Sequence, residues 1–157
     1  MADSTSGRRL VVAAALMIIV GQLLAIGNDL YLRQSDPSDV VLLGVLIVLA
    51  VFLLRRAHWA RWTTVVLVAA GGVLGLAGFV LLVVLKIAPG SWSAVESAIP
   101  PLASLRTAVA AFTAARAFPL LAGSVLISAL FDLAAAGMLA FAPSIRSYFA
   151  PATTLSA

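Results

Sequence analysis

Four long stretches of this chain carry almost no charge, and they constrain its fold more than any other feature. They cover residues 10–26, 40–54, 65–85 and 119–142, and the one charged residue within them is Asp132. A helix rises about 1.5 Å per residue, so about 20 residues cross the ~30 Å hydrocarbon core of a bilayer. We therefore predict four transmembrane helices over these ranges. The two shorter stretches reach the required length with flanking residues.

Composition supports the bilayer as the solvent for this fold. The 157-residue chain is 63% hydrophobic and 10% charged, whereas soluble domains carry roughly a quarter charged residues. Low hydrophobicity, the hallmark of disorder, is absent. Membrane-spanning strands would alternate apolar with polar residues, and no such alternation occurs. The sequence thus predicts an all-α, multi-pass membrane protein with residues 1–157 as a single domain.

The first apolar stretch has an alternative interpretation as a cleaved signal peptide. Arg8 and Arg9 precede it, and Ala25-Ile26-Gly27 offers small residues for cleavage. Its 17 uncharged residues, 10–26, exceed the ~7–15 that signal peptides use. We therefore expect a retained helix.

The distribution of basic residues predicts the orientation. Cytoplasmic loops are enriched in arginine and lysine, and an N-terminus inside the cell places six of the ten basic residues there. These six are Arg8, Arg9, Arg55, Arg56, Arg61 and Arg146; Arg33, Lys86, Arg106 and Arg116 lie outside. We predict both termini inside. Because the basic residues flank the spans instead of forming one patch, nucleic acid is not an expected partner. The abundance of arginine and alanine suggests a bacterial plasma (inner) membrane.

The segment between the third and fourth spans, residues 86–118, is the longest polar interruption. Pro100-Pro101 opens a predicted helix that ends near Phe118, with an alanine-rich side opposite Leu105 and Arg106. We expect an interfacial helical segment that packs its alanines on the bundle. A plain connector is the alternative.

Small residues mark two helix-packing faces. Gly71, Gly75 and Gly78 recur on one side of the third span, and glycines let helices approach closely in membranes. In the fourth span, a four-residue repeat joins Ser124, Ser128, Asp132, Ala136 and Ala140. We expect spans three and four to pack on each other, on a second copy, or on a partner protein.

Asp132 is the most informative single residue. It is the fourteenth of the 24 residues in its stretch, and a charge near the bilayer centre costs at least ~2.5–3.5 kcal/mol on insertion scales. No basic residue of this chain lies at the same depth, and the nearest polar candidate is Gln22. Three roles follow: a group that pairs with a cation from another chain, a protonated acid that holds helices together, or a proton or cation site.

Enzymatic, metal and cofactor chemistry lack the residues they need. The chain has no cysteine and one histidine, His58, too few for a zinc or haem site. We expect a non-enzymatic accessory or assembly subunit of a membrane complex. The alternative is a small homo-oligomeric transporter or channel with Asp132 as its proton or cation site. A third, weaker hypothesis is a sensing or immunity protein that uses the outer segment.

Overall fold

The computed structural model describes residues 4–31, 37–88 and 116–150, together with positions 93, 97, 109, 110, 113 and 114. All regular structure in this part of the chain is helical, which confirms the all-α prediction. The helices are α1 (Ser4–Tyr31), α2 (Pro37–Leu54), α3 (His58–Ile87), α4 (Phe118–Phe141) and α5 (Pro143–Phe149). Most of the predicted interfacial segment, residues 86–118, lies outside the described residues.

Three of these helices are long and apolar enough to cross a membrane. Their apolar parts are Thr5–Tyr31, His58–Ile87 and Phe118–Phe141. The apolar part of α2 is shorter, Val40–Leu54, and its 15 residues rise only about 22 Å as a helix. The long helices extend beyond the uncharged stretches because flanking polar residues continue each helix past the hydrocarbon. A membrane association with three candidate spans follows, while a fourth span through α2 stays a prediction.

Helix α4 lies at the centre of the arrangement. It packs most extensively on α3 and then on α1, whereas α1 and α3 scarcely contact each other. Arg61 near the start of α3 contacts Leu139 near the end of α4, so these two helices are antiparallel. Gly7 near the start of α1 lies against Ser144 just beyond α4, which makes α1 antiparallel to α4 as well.

One end of the bundle holds most of the core. The starts of α1 and α3, the ends of α2 and α4, and α5 meet there, and we call it the arginine end because Arg8, Arg9, Arg55, Arg56, Arg61 and Arg146 all lie at it. The buried residues of α2 are confined to its second half, Leu46, Leu49 and Leu53, while Val40 and Val41 are about two-thirds exposed. Helix α2 therefore joins the core at the arginine end and leaves the other half of the bundle uncovered.

The turn between α2 and α3 is tight. The Arg56 N–H donates to the Leu53 carbonyl and the Ala57 N–H to the Phe52 carbonyl, each at 3.0 Å. Arg56 occupies the left-handed region with φ 59°. This is a Schellman ending with arginine at the position where glycine is usual. The Arg56 guanidinium in turn lies 4.6 Å from the centre of the Tyr148 ring, which ties the turn to α5.

Candidate functional site

Asp132 lies where α1, α3 and α4 meet. Its side chain is 5% exposed. Oδ1 lies 3.6 Å from the place where a Cβ of Gly21 in α1 would be, and Oδ2 lies 3.6 Å from the equivalent place at Gly71 in α3. The two glycines therefore make the room that the carboxyl group occupies, and any larger side chain at either position would press on it.

The carboxyl group has no hydrogen-bond partner within the described part of the chain. Oδ1 is fully buried and unpaired. Most buried polar atoms in proteins are paired, and an unpaired group in an apolar setting costs free energy whether it is charged or neutral. An unpaired acid at a three-helix junction is the kind of exception that indicates a missing proton, ion, water or partner.

Hydroxyl groups continue from Asp132 toward the end of the bundle opposite the arginines. Ser128 Oγ donates to the Gly21 carbonyl at 3.1 Å. Ser124 Oγ lies 2.9 Å from Asn28 Oδ1 and 2.7 Å from the Leu121 carbonyl, and its single proton serves one of these acceptors at a time. The predicted row of serines thus faces α1.

On the other side of Asp132, polar groups lead to the arginine end. Thr64 in α3 is 2% exposed, and its Oγ1 has no hydrogen-bond partner among the described residues. Arg61 lies one turn before Thr64. We define the polar seam as the set that follows α4 from end to end: Asn28, Ser124, Ser128, Asp132, Thr64 and Arg61.

Arg61 closes the seam by capping α4. Its Nε donates to the Leu139 carbonyl at 2.7 Å and its Nη2 to the Ala140 carbonyl at 2.9 Å. The Leu139 carbonyl would ordinarily accept from the residue four positions later, but that residue is Pro143, which has no N–H. A cation also interacts favourably with the negative end of the helix dipole. Arg61 is 5% exposed, so this cap is inside the protein.

The predicted glycine face is arranged differently from the sequence expectation. A Cβ on Gly72 would lie 2.7 Å from Leu133 Cγ, and one on Gly75 would lie 3.0 Å from Ala129 Cβ. Gly78 has nothing within 4 Å of that position. Close contact with α4 therefore runs through Gly72 and Gly75, with Gly71 turned toward Asp132, because the two helices no longer touch at the level of Gly78.

Gln22, the other predicted polar residue, is half-buried. No hydrogen bond joins it to the seam within the described residues. Its neighbour Gly21 takes the position next to Ser128 and Asp132. Successive helical residues are 100° apart, so Gly21 and Gln22 face different directions.

The sequence analysis missed a repeat in α1. Gly7, Ala14, Gly21 and Asn28 are spaced by seven residues, the interval that keeps positions on one side of a packed helix. Gly7 lies against Ser144 and Tyr148, and Gly21 lies against Ser128. This spacing was readable from the sequence, whereas the side of α4 that it meets was not.

The arrangement offers no metal centre in the described residues, where no group of three or more histidine, cysteine, aspartate or glutamate side chains comes together. No protein family matches this chain, and neither a curated protein nor a solved structure gives a significant match. The argument for function therefore rests on the geometry around Asp132.

Proposed function

We propose that this chain is a small, non-enzymatic integral membrane protein that acts as an accessory or assembly subunit of a membrane complex. The observation that carries the proposal is the unpaired Asp132 carboxyl group beside Gly71. Gly71 is an exposed residue of α3, so the group lies just beneath the outer surface of the bundle.

Asp132 needs a donor that the described part of the chain does not supply. The nearest cation along the polar seam, Arg61, already donates to the Leu139 and Ala140 carbonyls. A lysine, arginine or amide side chain on a helix of another protein would provide the donor at the correct depth. Opposite charges within a membrane are a strong basis for selecting one partner helix over others.

The surface around Gly71 suits the approach of such a helix. Gly78 lies two turns further along nearly the same side of α3, with open space beside it, and Ala70 and Ala77 are exposed. Small side chains allow two helices to pack closely in lipid. Because the first half of α2 leaves this part of the bundle uncovered, the surface is accessible from the bilayer.

We also propose that the arginine end faces the cytoplasm of a bacterial cell and that the chain lies in the plasma membrane. All six arginines predicted to be inside lie at that end, while Lys86 and Arg116 are the described basic residues associated with the other. The positive-inside rule supports this orientation.

Native purification in mild detergent, with the intact mass of the complex, tests the proposal. We expect a stoichiometric foreign subunit that is lost from Asp132→Asn, because removing one member of a desolvated charge pair costs about 2–5 kcal/mol of binding. Asp29→Asn is the matched control, since it makes the same chemical change at the end of α1. Retention of the subunit by Asp132→Asn would contradict the proposed role of this acid.

A second candidate is a homo-oligomeric transporter or channel with Asp132 as its proton or cation site. The observation that favours it is the polar seam, in which two unpaired buried oxygens, Asp132 Oδ1 and Thr64 Oγ1, lie between hydroxyl groups and Arg61. Intramembrane acids of this kind mark proton and ion pathways. A closed homo-oligomer in the purification, followed by proton flux in vesicles that Asp132→Asn abolishes, would establish this function in place of the first.

A further inference from the structure

A cavity of about 410 Å³ opens at the arginine end, between the start of α3 and α5. Its lining includes His58, Arg61 and Trp62 from α3, with Arg146 and Phe149 from α5. This volume lies within the ~300–1,000 Å³ range of small-molecule sites. We infer that the cavity binds an anionic phosphate group, such as the headgroup of an acidic phospholipid.

The charge in the cavity is unbalanced. Two guanidinium groups, Arg61 and Arg146, line it together. The acidic side chains within the described part of the chain are Asp29 and Asp132, and neither borders the cavity. Two like charges that face one space repel each other, so an anion between them removes a repulsion as well as adding hydrogen bonds.

Arg61 is held in position to receive such an anion. Its bonds to the Leu139 and Ala140 carbonyls use Nε and Nη2, which fixes the plane of the guanidinium and leaves three of its five N–H groups available. Planar guanidinium groups match phosphate oxygens in geometry. Arg146 is exposed, and its side chain makes no hydrogen bond within the described residues, so it is free to close on the ligand.

The start of α3 adds to the attraction. Its N-cap residue, Ala57, provides no side-chain hydrogen bond to the first turn. The free N–H groups of that turn therefore remain at the positive end of the helix dipole. His58, the first residue of α3, lines the cavity beside them.

Aromatic residues place the cavity at the depth of lipid headgroups. Trp62 is about half exposed, and the Arg61 guanidinium lies 5.4 Å from the centre of its ring. Tryptophan concentrates at the membrane–water boundary, and basic pockets between helices on the cytoplasmic side suit acidic headgroups. A lipid phosphate therefore reaches this cavity without leaving the bilayer.

The test counts lipid molecules bound to the intact protein. Native mass spectrometry in neutral detergent would compare phosphatidylglycerol with phosphatidylcholine for the wild type and for Arg146→Gln. We expect selective binding of phosphatidylglycerol, weakened about fivefold by Arg146→Gln, in line with about 1 kcal/mol for each basic residue near an acidic lipid. Arg55→Gln is the matched control, because Arg55 is exposed at the same end but does not line the cavity.

Inorganic phosphate distinguishes the two sources of the anion. Displacement of phosphatidylglycerol by millimolar phosphate, with the same dependence on Arg146, would identify a free phosphate compound as the ligand. No displacement would identify the lipid. Equal weakening by Arg146→Gln and Arg55→Gln would overturn the inference, since it would mean diffuse surface charge, and so would equal binding of both lipids. Unchanged thermal stability of Arg146→Gln without acidic lipid confirms that the variant is folded.

Discussion

Replacement of Arg61 by methionine tests the physical account of how α3 and α4 are joined. Methionine keeps the apolar stem of the side chain and removes both donors. The Leu139 and Ala140 carbonyls would then lose the bonds they accept at 2.7 and 2.9 Å. The Leu139 carbonyl has no second donor in the helix, because Pro143 stands where an N–H is needed.

The magnitude follows from these two bonds. A hydrogen bond to a charged group contributes about 1.5–3 kcal/mol, so the pair contributes about 3–6 kcal/mol. Part of this is recovered in the variant, because a buried guanidinium no longer has to be desolvated. We therefore expect Arg61→Met to lower the free energy of unfolding by about 3 kcal/mol, and Arg61→Lys, which keeps the charge but loses the fork, to lower it by about half as much.

The assay is reversible unfolding in mixed micelles at increasing fractions of a denaturing detergent, followed by helical circular dichroism. Arg55→Met is the matched control, since Arg55 is exposed and makes no hydrogen bond through its side chain in the described structure. It should change stability by at most about 0.5 kcal/mol. If Arg61→Met and Arg55→Met unfold at the same point, the cap contributes nothing and the account is wrong.

Two further substitutions probe contacts at the arginine end. Gly7→Ala should destabilise the protein by about 1–3 kcal/mol, because the added methyl group meets the Ser144 carbonyl and Tyr148 Cβ. Gly78→Ala, with nothing within 4 Å, should leave stability unchanged or raise it by up to about 1 kcal/mol; equal effects of both in the unfolding assay would contradict the packing. Tyr148→Phe removes the 2.9 Å bond to the Leu54 carbonyl and should cost about 0.5–1.5 kcal/mol, and an unchanged midpoint would show that this bond is not needed.

Much of the fold could be predicted because solvation in lipid leaves few options. Uncharged stretches of bilayer length must be helical, and three of the four stretches lie in helices long enough to span. The importance of Asp132 also followed from its transfer cost. The short stretch 40–54 was harder to assign, because its length alone does not distinguish a span from a helix that covers only half of the bundle.

The details of the site depend on how the helices are rotated against each other. Gly21 and Gly71 come from different helices, and no local pattern assigns both to one carboxyl group. Arg61 read as a topology signal in the sequence, since its acceptors lie 78 and 79 residues away. Pro143 hinted at an open carbonyl four residues earlier, but nothing in the sequence identified which donor would fill it.

The central position of α4 has a consequence for how the protein is made. Helices α1 and α3 meet chiefly through α4, yet α4 follows both of them in the chain and is therefore the last long helix to leave the ribosome. Until it enters the bilayer, Gly21 and Gly71 face lipid and Arg61 has no carbonyls to bind. Tertiary structure in this protein is thus completed late in translation, and a chain that stops before residue 118 would expose an unfilled groove to the quality-control machinery of the membrane.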